Sequence, residues 1–306
     1  MDTKSTYPEN VFTSFKELLK MEALSHNFSF LARKHKSNSI LAGKHASRLR
    51  GRGLDFEEVR KYVNGDDIRN IDWKVTARTQ TTHTRVYTEE KERPVLIVVD
   101  HSKSMFFGSQ VRTKAVVAAE LAAIAAFRIL NEGDRVGGVV YADKGIDMIY
   151  PKRDRKNILK FLNEIVKRNH ELAESESASF EDSLKEVIQK IKNIVTHDFL
   201  IIIISDFLRY HPKTIKTIKH LKLHNDLILA KVNDPMEREI PEENIVAGDA
   251  ETQIRLRGKS KELRNRFKSE FDTELSSFKE EMLRYGIPVL NLNTVEPVDE
   301  QLKKMF

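Results

Sequence analysis

The sequence predicts an α/β fold in which helices cover both faces of a mostly parallel sheet, a three-layer arrangement. Three observations lead there. Short runs rich in β-branched residues recur between residues 84 and 292, several of them continuous, as expected of strands buried on both faces. Amphipathic segments of helical length separate these runs, which suits the crossovers that parallel strands require. With 306 residues, 40% of them hydrophobic, the chain can bury a sizeable core as one large domain or two modest ones.

Val11, Phe15, Leu18, Leu19, Ala23, Phe28 and Leu31 fall at helical spacing with an interruption near Ser25 to Asn27, so one or two helices open the chain. From Leu31 to Leu54 no acidic residue occurs, while Arg33, Lys34, Lys36, Lys44, Arg48, Arg50 and Arg52 surround Gly43, Gly51 and Gly53. This stretch reads as an exposed, partly irregular basic arm. Asp55 to Tyr62 reads as a helical turn, followed by the polar loop Asn64-Gly65-Asp66-Asp67. Strands are predicted at Thr84 to Tyr87, Val95 to Asp100, Arg135 to Ala142, Ile146 to Tyr150, Phe199 to Asp206, Asp226 to Asn233 and Ile287 to Leu292. Helices are predicted over 110–131, 152–169, 180–193 and 212–222. A long charged helix over 259–285 carries the apolar stripe Leu263, Phe267, Phe271, Leu275, Phe278 and Met282, which should pack on the domain. The expected division is an N-terminal helical, basic and irregular segment over residues 1–82 and the α/β domain over residues 83–306, including the long C-terminal helix.

Composition excludes several chemistries. There is no Cys, which removes a disulfide scaffold, a Cys-ligated zinc site, an iron–sulfur cluster and a thiol nucleophile. The apolar run from Phe199 to Ile204 is far short of the ~20 residues a membrane span needs, and Met1 to Asn10 is polar, so a soluble, cytoplasmic protein is expected. The 52 basic and 46 acidic side chains give a net charge of +6, which permits nucleic acid as a partner without demanding it. The basic arm lacks interleaved aromatics for stacking on bases and is most simply a solvated face.

In an open parallel sheet ligands bind beyond the carboxyl ends of strands. One strand ends in Asp100-His101-Ser102-Lys103-Ser104 and another in Ser205-Asp206. A carboxylate with hydroxyls at alternate positions of a strand-to-helix turn aims three oxygens at one spot, which a second strand-end carboxylate can approach. Hard oxygens without imidazole or thiolate suit Mg²⁺. Taken singly, Asp and Ser before a helix are ordinary N-caps.

Val95 to Met105 (VLIVVDHSKSM), Gly133 to Asp143 (GDRVGGVVYAD) and Leu200 to Phe207 (LIIIISDF) resemble the von Willebrand factor A domain, whose Asp-x-Ser-x-Ser turn forms a metal-ion-dependent adhesion site. Leu41 to Gly53 (LAGKHASRLRGRG), Asp55 to Arg78 (DFEEVRKYVNGDDIRNIDWKVTAR) and Glu89 to Pro94 (EEKERP) resemble the bacterial family catalogued as domain of unknown function 58. The resemblance implies that Asp100, Ser102 and Ser104 are first-loop ligands to Mg²⁺, with Mn²⁺ as a substitute, and that Asp206 is the last-loop carboxylate, acting directly or through water. The middle loop departs from the pattern. Ala178 stands where a Thr is common, leaving Ser177, Ser179 or water for that position. The resemblance further implies an adaptor encoded beside a MoxR-type AAA+ ATPase and acting with it in protein assembly or maturation, on a client that offers an acidic side chain.

Gly65 to Trp73 packs Asp66, Asp67, Asp72, Arg69 and the single Trp into nine positions, with Arg60 and Arg78 close in sequence. The first reading is a structural knot, in which Asp and Arg pair while Trp73 packs beneath and the N-terminal part is held to the α/β domain. The other is a partner surface. The ten His show no metal spacing, so His101, His170 and His197 are expected on the surface, His101 with a further possible influence on a partner contact. For an enzyme the requirements are unmet. An aspartyl-phosphate phosphohydrolase wants a second Asp as general acid two residues after the first, where this chain has Ser102, and no G-x-S-x-G turn or P-loop occurs. The expected function is therefore a noncatalytic, Mg²⁺-dependent interaction module, with a metal-dependent phosphohydrolase or a nucleic-acid-binding protein as the alternatives.

Overall fold

The computed structural model describes residues 10–27, 54–89, 92–143, 145–174, 180–207, 212–248, 253–257 and 259–305. Two compact units are present: Met1–Phe30 with Arg93–Phe306, and Leu31–Glu92. The boundaries between the two units fall at residues 31 and 93. The basic arm from Arg33 to Arg52 lies outside the described residues.

The larger unit opens with helix α1 (Phe15–Leu24), where Ser14 and Glu17 form a reciprocal capping box. This helix belongs to the α/β unit because Thr13 N–H donates to Asn169 Oδ1 at 2.8 Å and Leu18 is fully buried. In the smaller unit, strand β1 (Leu54–Lys61), helix α2 (Trp73–Thr79) and strand β2 (His83–Glu89) follow in order, with β1 and β2 antiparallel. The helical turn expected at Asp55 to Tyr62 is therefore a strand. A register shift between Phe56 and Glu58 puts an extra residue into β1, turning its period of two into a local three that imitates a helix.

The α/β unit continues through β3 (Pro94–Asp100), α3 (Lys114–Asn131), β4 (Arg135–Tyr141), β5 (Ile146–Lys152), α4 (Arg155–Glu171), α5 (Phe180–Ile194), β6 (Leu200–Ser205), α6 (Pro212–Lys222) and β7 (Asp226–Asn233). It ends with the short helix α7 (Pro235–Arg238), the hairpin β8 (Asn244–Gly248) and β9 (Gln253–Arg257), α8 (Lys261–Arg284), β10 (Val289–Asn293) and α9 (Val298–Met305). The sheet order is β10-β7-β6-β3-β4-β5, parallel except for the edge strand β5. The predicted mostly parallel sheet with helices on both faces is borne out, with β3 and β6 side by side at its centre.

Burial explains the continuous runs. Leu96, Val98, Ile201, Ile203, Leu227 and Leu229 share one core with Val187, Ile188 and Ile191 of α5, Ile218 and Leu221 of α6, and Met282 of α8. Their alternates Val95, Ile97 and Val99 are equally buried and turn to the opposite face, where α3 and α4 pack on β3 and β4. Each such side chain contributes about 1.5–3 kcal/mol on burial, so both faces are needed to hold this sheet. Helix α3 is apolar nearly all round, from Ala115 to Phe127, as suits a helix with no solvent face. Gly138 lets α4 approach, since a Cβ there would stand 2.1 Å from the Phe161 ring. The stripe on α8 is only half-buried apart from Met282. The hairpin β8–β9 and the helices α7 and α9 were not apparent in the sequence pattern.

Candidate functional site

The carboxyl ends of β3 and β6 adjoin, and the residues that end them meet below the surface. Asp100 and Asp206 are both fully buried. Asp100 Oδ1 accepts the Ser102 N–H at 2.8 Å, and its Oδ2 accepts the Ser205 hydroxyl at 2.6 Å. The same Ser205 Oγ accepts the Phe207 N–H at 3.1 Å, so one hydroxyl ties the last strand end to the first. Burial, reinforced by the neighbouring Asp206 charge, pushes the Asp100 carboxyl up to about 6.

The N-cap reading of the turn fails at Ser102. It occupies the N-cap position of the 3₁₀ turn Lys103–Met105, yet its side chain makes no capping bond. Its Oγ instead lies 3.2 Å from Ser104 Oγ. Adjacent oxygens in an octahedral shell at 2.0–2.1 Å from Mg²⁺ are themselves about 3 Å apart, so this hydroxyl pair suits two neighbouring ligand positions. The turn is braced from outside: Lys103 N–H donates to Asp143 Oδ2 at 2.7 Å, and Lys103 Nζ donates to the Leu172 carbonyl at 2.9 Å. The donor set of Asp100, Ser102 and Ser104 therefore fits a hard divalent cation. Ser177 and Ser179 lie outside the described residues, and no cluster of three or more His, Cys, Asp or Glu of metal-binding geometry occurs among the described residues.

Asp206 stands in a second set of charges that sequence reasoning missed. Lys114, only 1% exposed, donates to Asp206 Oδ2 at 2.7 Å and to Glu237 Oε1 at 2.5 Å. Burial alone would depress the Lys114 ammonium, but the two carboxylates outweigh it and hold the group above its usual range. Lys231, on β7 opposite Ser205, donates to the Asp206 carbonyl, and burial lowers its own ammonium. Asp206 thus lies near Asp100 with its Oδ2 paired to Lys114. A signal for Lys114 existed: a cation in the first turn of an otherwise apolar helix opposes the helix dipole and needs a buried anion.

His101 corrects another expectation, since it is fully buried. Its Nδ1–H donates to the Asp100 carbonyl at 2.7 Å, and burial holds the ring down to about 4, hence neutral. Its Nε2 is buried without a partner among the described residues. His170 and His197 are exposed as expected. Beyond the turn, a cleft of about 570 Å³ lined by Ser109, Gln110, Met236, Glu239, Ile240 and Lys268 opens beside α7.

The Gly65 to Trp73 motif, in the smaller unit, is a knot of a different kind from the one expected. Asp66 receives a two-pronged bond from Arg60 at 2.8 Å, and Asp72 caps α2 through the Lys74 and Val75 N–H groups while pairing with Arg85 at 2.8 Å. Asp67 accepts the Arg69 N–H at 2.9 Å. Arg69 and Arg78 make no ion pair among the described residues. Trp73 does not pack beneath: it is 69% exposed. Its place as first residue of α2, directly after the cap, turns it outward while Val75 and Thr76 face inward.

Among proteins of similar sequence are an uncharacterized protein of Mycobacterium bovis (Mb1516) and one of Mycobacterium tuberculosis (Rv1480), each 27% identical over 222 residues, 72% of this chain and 68% of theirs. Among solved structures, the conserved hypothetical protein BatB from Bacteroides thetaiotaomicron is similar with a TM-score of 0.43 and 17% identity, over 69% of this chain and 96% of that one. The SpRpn10 VWA domain is similar with a TM-score of 0.37 and 12% identity, over 71% of this chain and 96% of that one. The family model described as "Protein of unknown function DUF58" matches residues 58–276, well over half of the chain, and the protein belongs to that family.

Proposed function

We propose that this protein is a noncatalytic interaction module whose Asp100 carboxylate and Ser102 and Ser104 hydroxyls hold Mg²⁺, with Asp206 assisting directly or through water. The observation that carries this is the Ser102 hydroxyl, which forgoes the capping bond its position offers and sits 3.2 Å from Ser104 Oγ. Bound there, the cation supplies an electrophilic centre to which the carboxylate of a client protein can attach. The chain's own residues do the rest. Ser205 fixes Asp100 in place, Asp143 and Lys103 hold the turn against the rest of the domain, and Lys114 pairs with Asp206 Oδ2. Nothing in this arrangement positions a general acid or an activated nucleophile, and activity as an adaptor needs neither. A MoxR-type AAA+ ATPase is the proposed working partner, with the client supplying the acidic side chain; nucleic acid is not the proposed partner. No helix among the described residues is long and apolar enough to cross a membrane.

The test is calorimetric titration of Mn²⁺ and Mg²⁺ into the wild type and Asp100→Ala. Saturable binding in the wild type and none in the variant supports the reading. Equal heats in both remove the turn from it.

A further inference from the structure

We propose that the exposed face of α2, led by Trp73, is a docking surface for an acidic segment of another protein that carries an apolar or aromatic anchor. Only residues of the smaller unit enter into it, and it requires no divalent cation, so it stands or falls apart from the metal turn.

Exposure comes first. Among the described residues ten large apolar side chains are exposed, and three of them, Val63 (60%), Ile68 (67%) and Trp73 (69%), fall within eleven consecutive positions. Scattered single exposures need no explanation, but a cluster built around the protein's only Trp does. Trp and Arg are also the side chains that most often dominate binding energy at interfaces.

The helix geometry then adds charge. At 100° per residue, Trp73, Ala77, Lys74 and Arg78 occupy an arc of about 140° on α2, and all four are exposed. Val75 and Thr76, on the remaining side, are half-buried. Arg69, in the 3₁₀ turn before the helix, is exposed as well. Arg69, Lys74 and Arg78 have no ion-pair partner among the described residues, whereas Arg60 and Arg85 of the same unit are committed to Asp66 and Asp72.

The motif's acids, by contrast, are spent on order. Asp66 binds Arg60 and the Val63 N–H, Asp67 the Arg69 N–H, and Asp72 the first turn of α2. The segment is held rigid from its polar side while its apolar and cationic groups face water, which reduces the ordering cost of binding.

Charge complementarity selects the occupant. Unpaired guanidinium and ammonium groups beside an indole match carboxylates flanking an apolar side chain. A nucleic acid fits less well, because a single aromatic gives no platform for successive bases.

Because Trp73 is the only Trp, fluorescence of the full chain excited at the red edge, where the seven Tyr do not absorb, reads this surface alone. The free protein should show emission of a solvated indole, freely quenched by acrylamide. A synthetic peptide repeating Glu-Leu-Glu-Phe should shift the emission to shorter wavelength and protect it from quenching, less so as salt rises. The double variant Arg69→Glu with Arg78→Glu keeps the fluorophore, should melt like the wild type, and should bind the peptide at least about tenfold more weakly. Three results would overturn the proposal: an indole already shielded in the free protein, an equal response to the same peptide with Gln for Glu, or a response to oligo(dT) in place of the acidic peptide.

Discussion

Lys114 Nζ and Asp206 Oδ2 lie 2.7 Å apart with both side chains buried, so one of the two strand-end carboxylates carries its own counter-ion, supplied by the chain. Glu237 completes the cluster from α7, and the Lys231 side chain holds the Asp206 carbonyl. Removing one partner from such a pair leaves a buried charge without compensation. Lys114→Met should therefore lower stability by about 3–5 kcal/mol in urea denaturation, and Asp206→Asn in the same chain should restore part of the loss. If the double variant is no more stable than the single one, the pair does not act as described.

The Asp100 carboxyl gives a pH dependence of definite sign. Its folded value is about 6 against about 3.9 unfolded, so between these values the folded state binds the extra proton. Stability without metal should fall as pH rises from about 4 to 6, reaching a penalty on the order of 3 kcal/mol above that range. Asp100→Asn cannot ionise. In EDTA it should be more stable than the wild type at pH 7.5, with the difference vanishing near pH 4. A constant difference between the two proteins across this range would refute the assignment.

Trp73→Ala and Arg69→Ala should melt within about 0.5 kcal/mol of the wild type, since both side chains are exposed and Arg69 has no ion-pair partner among the described residues. Asp72→Ala should lower the melting temperature more than either, because it removes the cap of α2 and the partner of Arg85 together. A large loss in Trp73→Ala would return this segment to a packing role.

Turnover is not expected. Ser102 occupies the place of the general acid a phosphohydrolase would need, and purified protein with Mg²⁺ should leave phosphomonoesters, nucleic acid and ATP at background rates. Phosphatase activity abolished by Asp100→Asn would overturn the noncatalytic reading.

Much of this fold is legible in the sequence because the sheet is buried on both faces. Runs such as Leu200–Ser205 and Pro94–Asp100 have no polar alternation to confuse with a helix, and the strand ends therefore locate Asp100 and Asp206. What stayed hidden depends on distance along the chain or on direction. Lys114 and Asp206 are 92 residues apart, and nothing local links them. Ser205 and Asp100 are 105 apart. The bulge in β1 disguises its period, and the outward turn of Trp73 follows from a cap whose partner, Arg85, lies on another element. The spacing of the ten His carries no sign that His101 is buried, where its Nδ1–H bonds the Asp100 carbonyl at a buried strand end.

The central claim is that the oxygens of Asp100, Ser102 and Ser104 hold a divalent cation, and thermal melting in Mg²⁺ against EDTA tests it most directly. Native-state binding adds RT ln(1 + [L]/Kd), about 2.7 kcal/mol at a hundredfold excess over Kd. Millimolar Mg²⁺ should raise the melting temperature of the wild type and leave Asp100→Ala unmoved. An equal rise in both proteins, or none in the wild type, would contradict it.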